Sequence, residues 1–307
     1  MSVPVTGRFA PTPSGRLHLG NLLCALLAYL SARHAGGRFL LRIEDLDAPR
    51  CPKHLCDAAI QDLTWLGITW DEPPLFQSER GEVYQRYARQ LEQKGLLYPC
   101  FCTRAQLHAA AAPNRGDDNP VYAGTCAHLS PEEIAERMKT RRPAIRLRVP
   151  DETISIWDRQ YGEYSEYMPR DCGDFIIRRS DGLFGYQLAV VVDDALSGVN
   201  EVVRGHDILA STPRQVYIQR VLGFDTPSYI HIPLLEDADG RRLAKRDRDM
   251  DLTSLAKRFS REDILGMLAY SAGILEEERP AAMDELIDVF DWKNVKKEDI
   301  RLGRAMG

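Results

Sequence analysis

Residues 7–21 read GRFAPTPSGRLHLGN, and this stretch decides the fold. The short segment Arg8–Ala10 predicts a first strand, and the two prolines and the Ser-Gly turn after it prevent a helix from starting there. Residues Leu19–Arg33 then form a continuous run of good helix formers. The unit is therefore a strand, a tight turn and a helix N-terminus. Unpaired backbone N–H groups and the helix dipole make such a terminus an anion site, and a phosphate fits there.

This phosphate site belongs to neither of the two commonest types. It lacks the Lys-Ser/Thr pair of a P-loop and the G-x-G-x-x-G of a dinucleotide fold. What remains is His18-Leu19-Gly20-Asn21 at the helix start. For an isolated H-x-G, the simpler interpretation is that His18 caps the helix and Gly20 eases helix packing. The interpretation therefore depends on the rest of the chain.

Strands and helices alternate along the chain. The sequence predicts a strand at Gly37–Ile43, helices at Lys53–Leu66 and Ser78–Lys94, and, after an interruption, strands at Asp174–Arg179, Tyr186–Asp194, Val199–Arg204 and His231–Leu235. This alternation predicts an α/β fold with a doubly wound parallel (Rossmann-type) sheet. Glu44 follows the second strand at its carboxyl end, where ligands bind in such sheets, so it is a candidate for substrate binding.

Composition restricts the class of protein. The 307 residues exceed one compact core, so two or three units are expected. The longest apolar run, Leu22–Leu30, is too short to span a bilayer, and the N-terminus does not resemble a secretion signal. We therefore expect a cytoplasmic protein without a membrane partner. The net charge of −5 argues against non-specific nucleic-acid binding, so RNA contact would use local basic patches such as Arg137–Arg148.

The seven cysteines predict reduced thiols rather than a disulfide framework, because their number is odd and the chain is long. Cys100, Cys102 and Cys126 belong to a polar segment that has no core to bury them, and three thiolates can bind zinc if a fourth ligand completes the tetrahedron. On chemistry alone His128 is the natural fourth ligand, although Tyr122 is also near in sequence. The remaining cysteines are interpreted as small apolar residues: Cys24, Cys51, Cys56 and Cys172.

Residues 7–21 resemble the first signature of the class I aminoacyl-tRNA synthetases, in the form found in the glutamyl and glutaminyl branch. A second stretch, Asp239–Arg246, resembles the K-M-S-K-S loop of that class, and Lys245 matches its essential second lysine. Arg242, Ala244 and Arg246 depart from that pattern. The resemblance extends from residue 7 to about residue 260, with both motifs in the expected order.

The resemblance implies a set of site residues. It implies that Arg8, Tyr186 and Arg204 hold the side-chain carboxylate of glutamate, and that Ala10, Thr12 and Glu44 hold its α-amino group. The remaining assignments are Phe9 and Pro11 in the same glutamate site, His18, Gly20, Asn21, Leu243 and Lys245 in the ATP site, and His18 and Lys245 as the catalytic residues. The implied reaction forms glutamyl-adenylate from ATP, which carries Mg²⁺.

The spacing of the cysteines and Tyr122 resembles a zinc site of the glutamyl-Q tRNA(Asp) synthetases, in which the tyrosine is a ligand. This resemblance favours Tyr122 over His128, with one structural zinc ion. The expected division of the chain is 1–99 and 174–240 for the two halves of the catalytic domain, 100–173 for an inserted zinc-containing subdomain, and 241–307 for the loop and a short helical C-terminal region. Residues 252–307 leave no room for an anticodon-binding domain.

Three hypotheses compete for the acceptor of the glutamyl group. The first is the queuosine base in the anticodon of tRNA(Asp), and the second is a tRNA 3′ end charged by a minimal glutamyl-tRNA synthetase. The third is an RNA-binding paralogue without catalysis, which the altered second motif favours and the joint presence of Arg8, Glu44, Tyr186 and Arg204 opposes. The expected partners are ATP, L-glutamate and tRNA(Asp) with queuosine, bound by a monomer.

Overall fold

The computed structural model describes residues 4–103, 105–106, 121–237 and 251–301. The chain begins with the predicted unit: strand β1 (Thr6–Phe9), then helix α1 (Leu19–His34). Strand β2 (Arg38–Ile43) returns parallel to β1, and the short β3 (Leu75–Phe76) runs parallel to β2. Helix α2 (Lys53–Trp65) lies in the crossover from β2 to β3, as a parallel strand pair requires.

A second set of parallel strands lies beside the first. Strands β9 (Glu201–Gly205) and β10 (Ser228–Ile232) pair in parallel, and β10 also pairs with β6 (Thr153–Asp158), which forms an antiparallel hairpin with β7 (Gly162–Tyr167). The N–H of Asn200 donates to the Thr6 carbonyl, 3.1 Å away, so the start of β9 adjoins β1.

The strands bury alternate side chains on opposite faces, as expected of a doubly wound sheet. Phe39, Leu41 and Ile43 join one hydrophobic core, which also contains α1, α8 (Arg261–Ala272) and α9 (Met283–Val289). Leu40 points to the other core, formed with α3 (Gly81–Gln93), α5 (Tyr186–Leu196) and α6 (Thr212–Leu222). Helices therefore cover both faces.

A small antiparallel sheet is formed by three further strands, two of which precede β6 in the chain and one of which follows β7. Strand β5 (Ala144–Leu147) pairs with β4 (Leu97–Cys100) on one side and with β8 (Phe175–Arg178) on the other. Helix α4 (Pro131–Met138) begins with a capping box in which Ser130 and Glu133 satisfy each other's backbone N–H groups. After β10 the chain forms α7 (Leu252–Leu255) and the parallel pair of β11 (Leu235–Glu236) with β12 (Ile300–Arg301).

One predicted strand is wrong. Residues Tyr186–Asp194 belong to helix α5, in which every residue from Leu188 to Asp194 is buried. The run is apolar and rich in β-branched residues, and periodicity cannot distinguish a fully buried helix from a buried strand in such a short segment. The other predicted elements are present, with ends that differ by a few residues; the helix expected from Ser78 starts at Gly81 after a 3₁₀ turn at Gln77–Glu79.

Candidate active site

The N-terminus of α1 has the geometry of an anion site. His18 occupies the N-cap position, with its carbonyl accepting from the N–H of Asn21 at 2.8 Å and of Leu22 at 3.1 Å. The Asn21 side chain in turn accepts from the His18 N–H at 3.3 Å. A Cβ at Gly20 would lie 3.1 Å from the His18 ring, so glycine leaves the imidazole its space.

The chain that follows the second predicted motif reaches this helix end. Leu243 and Lys245 lie outside the described residues, but Asp251, the first described residue after them, forms an isolated antiparallel bridge with His18. Arg16 also links this part of the first signature to α2 and α7, because its guanidinium donates to Asp62 on α2 at 2.8 Å and to Thr253 on α7. The segment that follows the loop is therefore held against the first signature.

Glu44 and Thr12 meet at the carboxyl end of β2. The Glu44 N–H donates to the Pro11 carbonyl at 2.9 Å, and the Thr12 hydroxyl donates to the Glu44 carboxylate at 3.3 Å. Burial raises the pKa of Glu44, although Arg42 and Arg8 oppose the rise. Ala10 is half-buried, while Phe9 and Pro11 are buried beneath the site.

Arg8 is tied to a carboxylate that the sequence did not reveal. Its Nε donates to Asp194 at 3.2 Å and its Nη1 to the Val203 carbonyl at 3.1 Å. Asp194 also accepts from Arg42 at 2.5 Å, and Arg42 reaches Glu44 at 3.3 Å. Burial would raise the pKa of Asp194, but the two guanidinium groups outweigh it and hold that pKa below its usual range. Asp194 is thus an ionised bridge between two buried arginines.

Arg204, on β9, is surrounded by neutral acceptors. It donates to the His231 imidazole at 3.0 Å, to the Gln215 amide oxygen at 2.7 Å and to the Thr212 hydroxyl at 2.7 Å. The residue is only 4% exposed. Among the described residues no carboxylate lies within ion-pair distance of its guanidinium.

Tyr186 interacts electrostatically with the same charged groups. It is the first residue of α5 and exposes 37% of its surface. Gly185 precedes it because a Cβ there would lie 2.6 Å from the Ile176 carbonyl oxygen. Burial and the negative charge of Glu44 raise the pKa of the Tyr186 phenol, while Arg204 and Arg8 act in the opposite direction. These interactions bring Tyr186, Glu44, Arg8 and Arg204 into one electrostatic site.

Sequence reasoning missed the residues that support these side chains. One of them left a signal: Arg42 and Glu44 are two positions apart at the end of β2, so they share a face of the sheet. The others become neighbours only through the tertiary fold. They are Asp158, Asp194, Thr212, Gln215 and His231.

The three predicted zinc-binding cysteines form a second polar site at the end of β4. Their Sγ atoms all lie within 4.8 Å of one another, and they are the sole such cluster of potential metal-binding side chains in the described part of the chain. The Tyr122 hydroxyl lies 3.5 Å from Cys100 Sγ and 3.8 Å from Cys102 Sγ, and Cys102 and Cys126 Sγ are 3.7 Å apart. His128 is exposed, whereas Tyr122 is buried beneath the guanidinium of Arg146, 3.7 Å from the ring centre.

These separations fit zinc. A tetrahedron with zinc–sulfur bonds of about 2.3 Å has sulfur–sulfur edges of about 3.8 Å and slightly shorter sulfur–oxygen edges. The donor set also matches the preference of zinc for thiolates. Burial raises the pKa of the Tyr122 phenol, whereas the N–H of Cys126, which donates to the phenol oxygen at 2.7 Å, acts in the opposite direction. Cys100, Cys102, Cys126 and Tyr122 could therefore hold one ion.

All seven cysteines lie in the described ranges, and none of them forms a disulfide bond. Cys51, Cys56 and Cys172 are buried and Cys24 is half-buried, as expected of small apolar residues. No helix within the described ranges combines the length and the apolar character that crossing a bilayer requires.

Comparison with known proteins defines the class. Residues 4–298 match the model of the tRNA synthetases class I (E and Q), catalytic domain. A crystal structure of glutamate-tRNA synthetase from Elizabethkingia anophelis superposes with a TM-score of 0.85 at 28% identity, covering 99% of this chain and 69% of that one. The chain therefore belongs to the class I tRNA synthetases of the glutamyl and glutaminyl branch and is a ligase with the fold of that class.

Its place within the branch is also defined. The chain is 48% identical to the glutamyl-Q tRNA(Asp) synthetase of Symbiobacterium thermophilum, over 96% of this chain and 95% of that protein. It is 43% identical to the glutamyl-Q tRNA(Asp) synthetase of Nitratidesulfovibrio vulgaris, over 92% of this chain and 91% of that protein. It belongs to this family.

Proposed function

We propose that the chain activates L-glutamate with ATP as glutamyl-adenylate and transfers the glutamyl group to the queuosine base in the anticodon of tRNA(Asp). The names of relatives that match almost the whole chain support this acceptor. The arrangement of charged groups at the carboxyl ends of β1, β2 and β9 supports the choice of glutamate.

The observation that carries the proposal is the state of Arg204. It is a buried guanidinium whose three described contacts are all neutral. Burying a charge without an opposite charge is costly, so the site is stabilised when a carboxylate enters it. Three guanidinium groups, on Arg8, Arg42 and Arg204, face two carboxylates, on Glu44 and Asp194. Glutamate, with two carboxylates and one ammonium group, supplies the missing negative charge.

Glutamine fits this site less well. Its neutral side-chain amide would replace charge-assisted hydrogen bonds that contribute roughly 1.5–3 kcal/mol each. In our assignment Arg8, Tyr186 and Arg204 bind the side-chain carboxylate, and Ala10, Thr12 and Glu44 bind the α-ammonium group. Phe9 and Pro11 form the floor of the pocket. The α-carboxylate then faces the N-terminus of α1.

ATP binds with its phosphates at that N-terminus. The oxygen of the glutamate α-carboxylate attacks the α-phosphorus in line, the bond to the leaving pyrophosphate breaks, and glutamyl-adenylate forms. His18 and the backbone at Gly20 and Asn21 stabilise the charge that develops on the phosphates. We assign Lys245 to the pyrophosphate and Leu243 to the nucleotide, and this assignment is supported by the bridge between His18 and Asp251, which lies six residues after Lys245. Mg²⁺ accompanies the ATP phosphates.

The zinc ion, held by Cys100, Cys102, Tyr122 and Cys126, has a structural role in this proposal, because four protein ligands leave no open position for water. We further propose that residues 100–173, the subdomain around this site, bind the stem and loop of the tRNA anticodon arm. Residues 1–99 and 174–240 then form the two halves of the catalytic domain. Residues 241–307 contain the segment that resembles the K-M-S-K-S loop and the short helical C-terminal region. The enzyme is proposed to act as a monomer in the cytoplasm.

A second acceptor has support from one observation. The glutamate-tRNA synthetase of Elizabethkingia anophelis superposes on 99% of the chain, which favours transfer to a tRNA 3′ end. The experiment is to glutamylate tRNA with labelled glutamate, cut it with a base-specific nuclease and locate the label. Label in the anticodon fragment that is absent from tRNA without queuosine supports the proposal. Label on the 3′ adenosine favours the second acceptor. If the protein showed no glutamate-dependent ATP–pyrophosphate exchange, the hypothesis of a non-catalytic paralogue would be favoured instead.

A further inference from the structure

Behind Arg204 lies a buried histidine–aspartate pair outside the assigned glutamate and ATP sites. His231 is the partner of Arg204 across the parallel β9–β10 ladder. Its Nε2 lies 3.0 Å from Arg204 Nε, and its Nδ1 lies 2.6 Å from the carboxylate of Asp158, at the end of β6. His231 and Asp158 are both fully buried. Three neighbouring strands therefore contribute one residue each to a continuous chain of hydrogen bonds.

The chemistry of the two ends fixes the proton on the imidazole. The Nε–H of an arginine can only donate, so His231 Nε2 must accept. An ionised carboxylate can only accept, so His231 Nδ1 must carry the proton. Asp158 is ionised: burial alone would raise its pKa, but hydrogen bonds from His231 and from the N–H of Tyr161 hold that pKa below its usual range. Its two oxygens accept from His231 on one side and from the N–H groups of Gln160 and Tyr161 on the other.

This arrangement determines how Arg204 is presented. The contacts with His231, Gln215 and Thr212 use three of the five N–H donors of the guanidinium, which leaves one donor on each terminal nitrogen. Two donors on neighbouring nitrogens match the two oxygens of a carboxylate. If His231 carried its proton on Nε2, two donors would face each other at 3.0 Å and Arg204 would have to turn away. A carboxylate in place of His231 would instead pair with Arg204 and neutralise its charge.

We propose that Asp158 and His231 are positioning residues for glutamate recognition: Asp158 fixes the imidazole tautomer, and His231 holds Arg204 with a neutral acceptor so that its charge stays available to the substrate. This inference rests on the proposed function, since it assumes that Arg204 binds the glutamate side chain. Burial and the charge of Arg204 lower the pKa of His231, which agrees with a neutral ring.

The test combines three variants with steady-state ATP–pyrophosphate exchange in the full-length protein. His231→Phe keeps a ring but no acceptor and should raise the KM for glutamate roughly tenfold, the loss of about one hydrogen bond to a charged group. His231→Gln can place an amide oxygen near the position of Nε2 and should restore most of the affinity. The KM for ATP should change little in either variant. The control is His206→Gln, which alters another histidine–aspartate pair, with Asp299, and should leave the KM for glutamate unchanged.

Asp158→Asn tests the tautomer. One oxygen of Asp158 accepts from two backbone N–H groups, of Gln160 and Tyr161, and the other from one, of His231, so the oxygen of the introduced amide should stay on the side of Gln160 and Tyr161. Its NH₂ group then faces the His231 ring and favours the proton on Nε2. Nitrogen-15 spectra of the imidazole should show the proton on Nδ1 in the wild type and on Nε2 in this variant, together with a higher KM for glutamate. A purely structural role predicts equal effects on glutamate and ATP in His231→Phe and no rescue by His231→Gln, and that pattern would overturn the inference.

The two proposals fail in different ways. Absence of glutamate-dependent exchange in the wild type would refute the proposed function. The ring spectra need no substrate, so a proton on Nε2 in the wild type refutes the positioning role even if a His231 variant does not fold. Exchange that is normal in the wild type and unchanged in His231→Phe refutes the positioning role alone.

Discussion

The proposed glutamate pocket and the thiol cluster are both built from buried polar side chains, but they are stabilised in different ways. Arg204 is held by residues of β10 and α6, which pack in one of the two large cores of the sheet. The described core around the thiols contains only six buried residues, and three of those are proposed zinc ligands: Cys100, Tyr122 and Cys126. The pocket is therefore preorganised by the protein, whereas the thiol cluster has too little apolar core to be rigid without its ion.

This difference separates the expected effects of mutation. A change in the pocket should alter substrate binding and leave the fold intact, because large cores support the neighbouring elements. A change in the thiol cluster should first alter metal content and the order of residues near β4.

The largest effect is expected from Arg204→Ala. It removes two donors to the glutamate side-chain carboxylate, each worth roughly 1.5–3 kcal/mol, so kcat/KM for glutamate should fall by at least about 100-fold in pyrophosphate exchange. The comparison variant is Arg159→Ala, which removes a half-exposed arginine from its pair with Glu201 and should change the kinetics little. Unaltered glutamate affinity in Arg204→Ala would place the side-chain carboxylate elsewhere.

The thiol cluster should respond through its metal. The wild-type protein should contain about one zinc ion per chain, and Cys126→Ser should lose most of it, because a hydroxyl is a much poorer ligand than a thiolate. Cys172→Ser is the matched control, since Cys172 is buried, donates to Glu166 and is not part of the cluster. Metal analysis after gel filtration measures both. Equal zinc content in the two variants would exclude the cluster as the zinc site.

The fourth ligand gives a smaller difference. Tyr122→Phe removes the oxygen that lies 3.5 Å from Cys100 and should weaken zinc retention roughly tenfold against a competing chelator. His128→Ala should have no effect, because His128 is exposed. If His128→Ala released zinc and Tyr122→Phe did not, the site would be Cys₃His and the choice of tyrosine would be wrong.

The sequence predicted what local chemistry determines. The turn between β1 and α1, the position of Glu44 directly after β2 and the grouping of three cysteines all follow from short stretches of chain, and the structure contains them. Asp194 could not be found in this way, because its contact with Arg8 joins residues 186 positions apart and the helix that carries it was interpreted as a strand.

His231 could not be identified from the sequence either, because its contacts also depend on the tertiary fold. Within the sequence it is one polar residue in an apolar strand, which is most simply explained as a buried structural histidine. Its importance depends on being opposite Arg204 in the ladder and next to Asp158 at the end of β6. Register between strands is a property of the folded sheet, so no local pattern reveals it. The remaining assignments, including Lys245, stay predictions.

The smallest effect concerns pH and belongs to the pocket alone. Burial raises the pKa of Glu44, so as pH falls this carboxylate takes up its proton earlier than an ordinary glutamate, whose pKa is near 4.5. The protonated form has no charge to attract the α-ammonium group of the substrate. The KM for glutamate should therefore begin to rise at a pH above 4.5 and increase a few-fold as pH falls further. Glu44→Gln provides the control, because its KM should already be higher at neutral pH and should vary less on acidification. A wild-type KM that remains flat down to the pKa of an ordinary glutamate would mean that Glu44 does not bind the ammonium group, and the pocket would need another partner for it.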